Sequence, residues 1–136
     1  SGNLGAQLKT VEDLMITGSK IPFLHENQKM KSALKVITNK NLGVLIVKNK
    51  LGKTTGIITD GQIRRFSQKN KDLQSLKVKE VMTKNPISID KNTLAAKALN
   101  IMNDKKITCL CVTNKNIKNK TVGILHIHSI LETNIQ

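Results

Sequence analysis

The chain repeats itself, and a duplication of this kind settles the architecture before any other feature is weighed. Val11-Glu-Asp-Leu-Met15 recurs as Val78-Lys-Glu-Val-Met82. Met30, Ala33, Leu34 and Ile37 recur as Ala95, Ala98, Leu99 and Met102, both with the spacing of a helix that has one apolar face. Asn27 and Asn92 precede these helices at matching places, and either side chain is suited to cap a first turn. Val44-Leu-Ile-Val47 then matches Cys109-Leu-Cys-Val112, and Gly56-Ile-Ile-Thr59 matches Gly123-Ile-Leu-His126. The hairpin between these last two strands is longer in the second copy, as expected of an insertion in a surface loop.

Each copy therefore reads as an extended segment, a helix, two strands and a closing helix. The extended segments are Ile21–Leu24 and Pro86–Ile89, the helices cover about 28–40 and 93–105, and the hairpins cover about 43–59 and 107–126. Closing helices begin near Asp60 and Ile127 and are expected to carry Ile63, Phe66, Ile130 and Leu131 inward. A polar stretch, Gln68-Lys-Asn-Lys-Asp72, separates the halves. One copy of about 60 residues is too small to cover both faces of a three-stranded sheet, whereas two copies packed sheet against sheet suffice.

Composition narrows the possible functions. Apolar residues make up 38% of the 136, with Phe23 and Phe66 the only aromatics, so the core must be built from branched aliphatics. No apolar run approaches the roughly 18 residues that a membrane helix needs, and no signal or transit segment is recognisable; a cytoplasmic location is expected. The net charge of +14 resembles a nucleic-acid signal, but apart from Arg64 and Arg65 it comes from lysines scattered between Lys9 and Lys120. The base-stacking aromatics that single-strand binders interleave with their basic groups are missing, so no specific nucleic-acid partner is expected. Cys109 and Cys111 lie two apart on a strand, a geometry that disfavours a disulfide; buried free thiols are the simplest account. A zinc site shared with His126 and His128 does not fit the ligand spacing such sites use.

Catalytic chemistry finds little support. His25 sits in a polar turn and His126 and His128 end a strand, with no nucleophile, base and orienting acid recognisable around them. No GxxxxGK[ST] loop is present, and the nine acids form no metal-ligand pattern. No enzyme is expected within these residues.

From about residue 8 to 133 the order of these motifs resembles the CBS domain, and its double occurrence resembles a Bateman module. The fold class implied is α/β (α+β): two β-α-β-β-α CBS repeats packed with pseudo-twofold symmetry, the first over 11–70 and the second over 71–136. A narrower resemblance is carried by Gly56-Ile-Ile-Thr-Asp-Gly-Gln-Ile-Arg-Arg65, which is similar to the GIFTDGDLRR-like segment of the arabinose-5-phosphate isomerases. Lys40-Asn-Leu-Gly43, Ala98-Leu-Asn-Ile-Met102, Ile107-Thr108 and Gly123-Ile-Leu-His-Ile-His128 extend it. By this resemblance residues 1–10 are a linker from an N-terminal sugar-isomerase domain. The implied parent interconverts ribulose 5-phosphate and arabinose 5-phosphate for the Kdo part of lipopolysaccharide, as a tetramer built from dimers of CBS pairs.

In CBS pairs the ligand lies between the copies, where the last strand runs into the closing helix. That resemblance points to Thr59, Gly61, Gln62, Arg64 and Arg65 in the first copy and to Thr108, His126, His128 and Ser129 in the second. Thr59 either donates to a phosphate or caps its helix. Gly61 either admits a ligand or is simply a small residue at a helix start. The two arginines either grip an anion or form a solvated face. The chain departs from the family where adenine nucleotides are recognised. The Asp expected three residues after the Thr is Gln62 in one copy and Ser129 in the other, and Thr59 becomes His126. No cofactor is required; a nucleotide, or the cytidine-activated sugar acid CMP-Kdo, is the effector expected. The alternatives are a purely structural oligomerisation module and a CBS pair belonging to a different parent.

Overall fold

The computed structural model describes residues 8–69 and 72–133. The greater part of the expected linker, and residues 70 and 71 of the polar stretch, lie outside the described residues. The described residues form two compact units: one lies within 19–86, the other joins 8–18 to 87–133.

In the 19–86 unit, β1 (Phe23–His25) runs parallel to β2 (Val44–Lys48), with Leu24 opposite Val47. A parallel pair needs a long crossover, and α2 (Met30–Lys40) supplies it. β3 (Thr54–Thr59) pairs antiparallel with β2, and β4 (Thr83–Lys84) adds to its far edge, giving the order β1-β2-β3-β4. α3 (Asp60–Lys69) continues directly from β3. Met30, Ala33 and Ile37 of α2 pack with Leu24, Leu45, Val47 and Ile58 into one aliphatic core. Val44 and Ile46, on the opposite face of β2, are buried as well. Such two-sided burial is why this strand reads as a continuous apolar run.

The other unit repeats the plan. β5 (Ser88–Asp90) runs parallel to β6 (Cys109–Asn114), and β7 (Ile117–His126) pairs antiparallel with β6. α5 (Ala95–Lys105) is the crossover, and α6 (Ile127–Leu131) follows β7. Ala95, Ala98 and Met102 pack with Ile89, Leu110, Val112, Leu125 and Ile130.

The packing crosses the order of the sequence repeats. α1 (Val11–Leu14), which opens the first repeat, docks in the unit built from the second. The Val11 N–H donates to Thr93 O and the Glu12 N–H to Lys91 O, while Lys91 and Glu12 form an ion pair at 2.7 Å. α4 (Val78–Val81), which opens the second repeat, docks in the 19–86 unit, with the Val78 N–H on Gln28 O and the Lys79 N–H on Glu26 O. Val11 and Val78 are fully buried in these positions, each contributing roughly 1.5–3 kcal/mol of apolar burial. The methionine that ends each opening motif lies over a glycine. A Cβ on Gly123 would stand 2.6 Å from Met15 Sδ, and one on Gly56 2.5 Å from Met82 Sδ. The methionine and glycine of the repeated motif are therefore partners within a unit, although they come from opposite repeats.

Several local expectations are corrected. Asn27 and Asn92 do not cap helices: the caps fall at Lys29 and Leu94, neither with a side-chain bond. The backbone N–H groups of Asn27 and Asn92 instead donate to His25 Nδ1 and Asp90 Oδ2, closing the turn after the first strand of each unit. Leu131 is 40% exposed rather than turned inward, because α6 is only five residues long and Ile130 takes its one fully buried place. Ile63 and Phe66 reach the core only in part. Both crossover helices end on a non-glycine residue in the left-handed region, Asn41 at φ 56° and Lys106 at φ 57°.

Candidate functional site

The structure places the candidate residues at two strand-to-helix junctions, one in each unit. At the first, Thr59 ends β3 and its hydroxyl accepts from the Gln62 N–H at 3.3 Å, while its own N–H donates to Gln62 Oε1 at 2.9 Å. This reciprocal pair is a capping box, formed because threonine and glutamine stand three apart at the helix start. Gln62 is further committed by Nε2, which donates to Thr83 Oγ1 on β4. The residue standing where the family pattern has an acid thus ties the first turn of α3 to the sheet edge through its amide. The Asp60 N–H donates to Gly43 O, and its carboxylate lies beside Gly43, whose φ of 71° favours glycine.

Arg65 folds back toward the junction. Its Nη1 lies 3.2 Å, and Thr59 Oγ1 3.9 Å, from the place a Cβ on Gly61 would occupy. Gly61 leaves room for the guanidinium, so a fork of N–H donors stands at the amino end of a ten-residue helix. Arg64 is exposed on the same helix.

The second junction is built differently. His126 precedes α6 and caps it, Nδ1 accepting from the His128 N–H at 3.2 Å. The two imidazole rings are 4.6 Å apart and tilted by 51°. The Ile127 N–H donates to the carbonyl of exposed Thr108, tying the junction to the start of β6. Ser129 is half-buried in the first turn of α6. Burial, and then the neighbouring His128, hold the His126 imidazole below its ordinary pKa. Cys109, the register partner of His126, and Cys111 are free thiols. Burial pushes them up to about 11 and about 12, which makes them inert packing groups at neutral pH.

Thr59, Gly61, Gln62 and Arg65 are thus brought together at one junction, and Thr108, His126 and His128 at the other. Gly43 and Thr83 also belong to the first junction. They are recognisable only once β2, β3 and β4 are paired, since their separation along the chain hides the contact. Among the described residues no three His, Cys, Asp or Glu side chains are grouped to hold a metal ion, and no helix is long and apolar enough to cross a membrane.

Two copies of one β-α-β-β-α plan, each with its strand running into a short closing helix, are what the CBS domain family model also finds, at residues 11–69 and 78–134. The chain belongs to the CBS domain family. Over 135 residues it is 36% identical to the arabinose 5-phosphate isomerase KdsD of Salmonella typhi and 33% identical to that of Escherichia coli K12. An uncharacterized protein of Rickettsia prowazekii is 34% identical over 134 residues. Each alignment covers 98% of this chain but 40% of the relative, so the chain spans well under half the length of the curated relatives it matches. Among solved structures, a CBS domain pair in complex with 5′-methylthioadenosine and S-adenosyl-L-methionine matches with TM-score 0.81 at 23% identity, over 92% of this chain and 94% of that one. CBSX2 in complex with AMP matches with TM-score 0.80 at 20% identity, over 93% and 96%.

Proposed function

We propose that this chain is the regulatory CBS pair of an arabinose 5-phosphate isomerase of the Kdo pathway, sensing an anionic nucleotide and having no catalytic activity of its own. The observation that carries this reading is the match to KdsD over 98% of the chain at 36% identity, confined to 40% of that enzyme. The remaining length of the parent then supplies a sugar-isomerase domain, in a cytoplasmic enzyme assembled from dimers of CBS pairs.

The junction chemistry favours a particular kind of effector. Arg65 offers a guanidinium next to Gly61 at this junction, suited to a phosphate or carboxylate. Gln62 spends its amide on Thr59 and Thr83, and Ser129 is uncharged, so neither offers the ribose hydroxyls a charge-assisted acceptor. Recognition then falls on the anionic groups. CMP-Kdo carries both a phosphate and a carboxylate, so it suits the guanidinium of Arg65 better than AMP or ATP.

Titration calorimetry on this chain at about 0.15 M salt, where surface attraction to polyanions is largely screened, tests the reading. CMP-Kdo should bind more tightly than CMP, and CMP more tightly than AMP or ATP, with Arg65→Ala weakening the first. The capping box and the His126 cap also favour a second reading, a structural oligomerisation module, because both junctions satisfy their own helix starts. Absence of heat with all four compounds selects that second reading.

A further inference from the structure

The two repeats put chemically different acceptors at the same structural place. In the first, the hydroxyl of Thr59 receives the amide at the start of α3, and a hydroxyl keeps its lone pairs at any physiological pH. In the second, that place belongs to a ring nitrogen, Nδ1 of His126, which accepts from the His128 N–H at 3.2 Å. Such a bond requires a neutral ring with its proton on Nε2.

We propose that His126 makes the β7–α6 junction a pH-operated latch, closed while its ring is neutral and released when the ring takes up a proton. Protonation puts an N–H on Nδ1, facing the N–H it had been receiving, so the cap is lost outright. The new positive charge then stands at the amino end of α6, where the peptide dipoles disfavour cations, with the His128 ring 4.6 Å away. The titratable groups that face His126 are His128 from α6 and Cys109 from β6, whose thiol stays neutral. His128 is the one charged neighbour that moves its titration, so among the described residues no carboxylate stabilises the charged form. Burial and His128 both act in the direction the geometry requires, lowering the pKa from 6.5.

The sign follows from linkage. The folded ring holds its proton less tightly than the unfolded one, so the cap's contribution is complete above about pH 6.5 and is lost as pH falls toward the lower folded pKa. Release stays local, because the Ile127 N–H remains on Thr108 O and Ile130 remains in the core.

Amide hydrogen exchange and histidine ring titration by NMR on this chain test it. Between pH 7.5 and 5.5 the His128 amide, corrected for its intrinsic rate, should lose about fivefold in protection, the equivalent of one cap. The Ile127 amide serves as the internal control and should hold its value. In His126→Asn, whose side chain caps without titrating, His128 protection should be flat across this range. In His128→Asn the loss should persist with its midpoint moved up toward 6.5, since the repelling neighbour is gone. A His126 ring midpoint at or above 6.5 in the unmodified chain overturns the proposal. So does equal loss in His126→Asn; if that variant does not fold, the ring midpoint and the His128→Asn series decide the matter.

Discussion

Replacing Gly56 by alanine should be among the most damaging single-methyl changes in the molecule. A Cβ at this place would meet Met82 Sδ at 2.5 Å, Met82 Cγ at 2.8 Å and the Thr83 carbonyl oxygen at 2.8 Å. The methionine end is flexible and can swing away, but the carbonyl belongs to β4, held in register by the Gly56–Lys84 and Ile57–Thr83 pairs. Relief therefore means moving a strand edge. Overpacking of this kind costs about 1–3 kcal/mol, and the upper half of that range applies because backbone is involved. At about 4 °C per kcal/mol the melting temperature should fall by about 8–12 °C. Gly123→Ala is the graded comparison: its clash is with Met15 Sδ at 2.6 Å and with the Ile16 carbonyl at only 3.0 Å, so its loss should be smaller. Adding Met15→Ala to Gly123→Ala should cost less than the sum of the two single changes, because the same space is relieved twice. Thermal and urea unfolding of the four variants measures all of this. A Gly56→Ala protein as stable as the parent refutes the packing argument, and so does strict additivity at Met15 and Gly123.

Three further outcomes follow from local geometry. Thr59→Ala removes the hydroxyl that accepts from Gln62 and should lower stability by about 1 kcal/mol in urea unfolding, whereas Thr59→Ser should retain most of it. Lys106→Gly relieves a left-handed residue at φ 57° and should gain about 0.5–1 kcal/mol, while Asn41→Gly, starting from a residue that tolerates φ 56°, should gain less. Methyl contacts measured by NMR should join Met15 to Gly123 and Ile124, and Met82 to Gly56 and Ile57; contacts from Met15 to Gly56 refute the crossed packing.

The repeat made most of the fold legible, because apolar spacing at Met30, Ala33 and Ile37 and at Ala95, Ala98 and Met102 is a local signal that burial enforces. Helix starts were less legible. Asn27 and Asn92 have the chemistry of caps, yet an acceptor two residues earlier, His25 or Asp90, draws their amides into a turn and the helix begins later. The crossed docking of α1 and α4 leaves no local trace, since both opening motifs look alike and only pairing across the chain shows which glycine each methionine covers. At the junctions the sequence left Thr59 open between cap and ligand donor. The structure fills the cap through Gln62, whose second partner, Thr83, lies on a strand that spacing alone does not bring near. The change from Thr59 to His126 was visible as a departure from the family, but the ring nitrogen's use as a helix cap needed coordinates.

The most direct test of the regulatory reading is the isomerase rate of the full-length protein at subsaturating ribulose 5-phosphate, with and without CMP-Kdo, for the parent chain and for Arg65→Ala. The account predicts that the parent's rate responds to CMP-Kdo and that the variant keeps its basal rate but loses the response. A full-length protein without isomerase activity contradicts it, as does a parent insensitive to CMP-Kdo or an Arg65→Ala variant that responds just as the parent does.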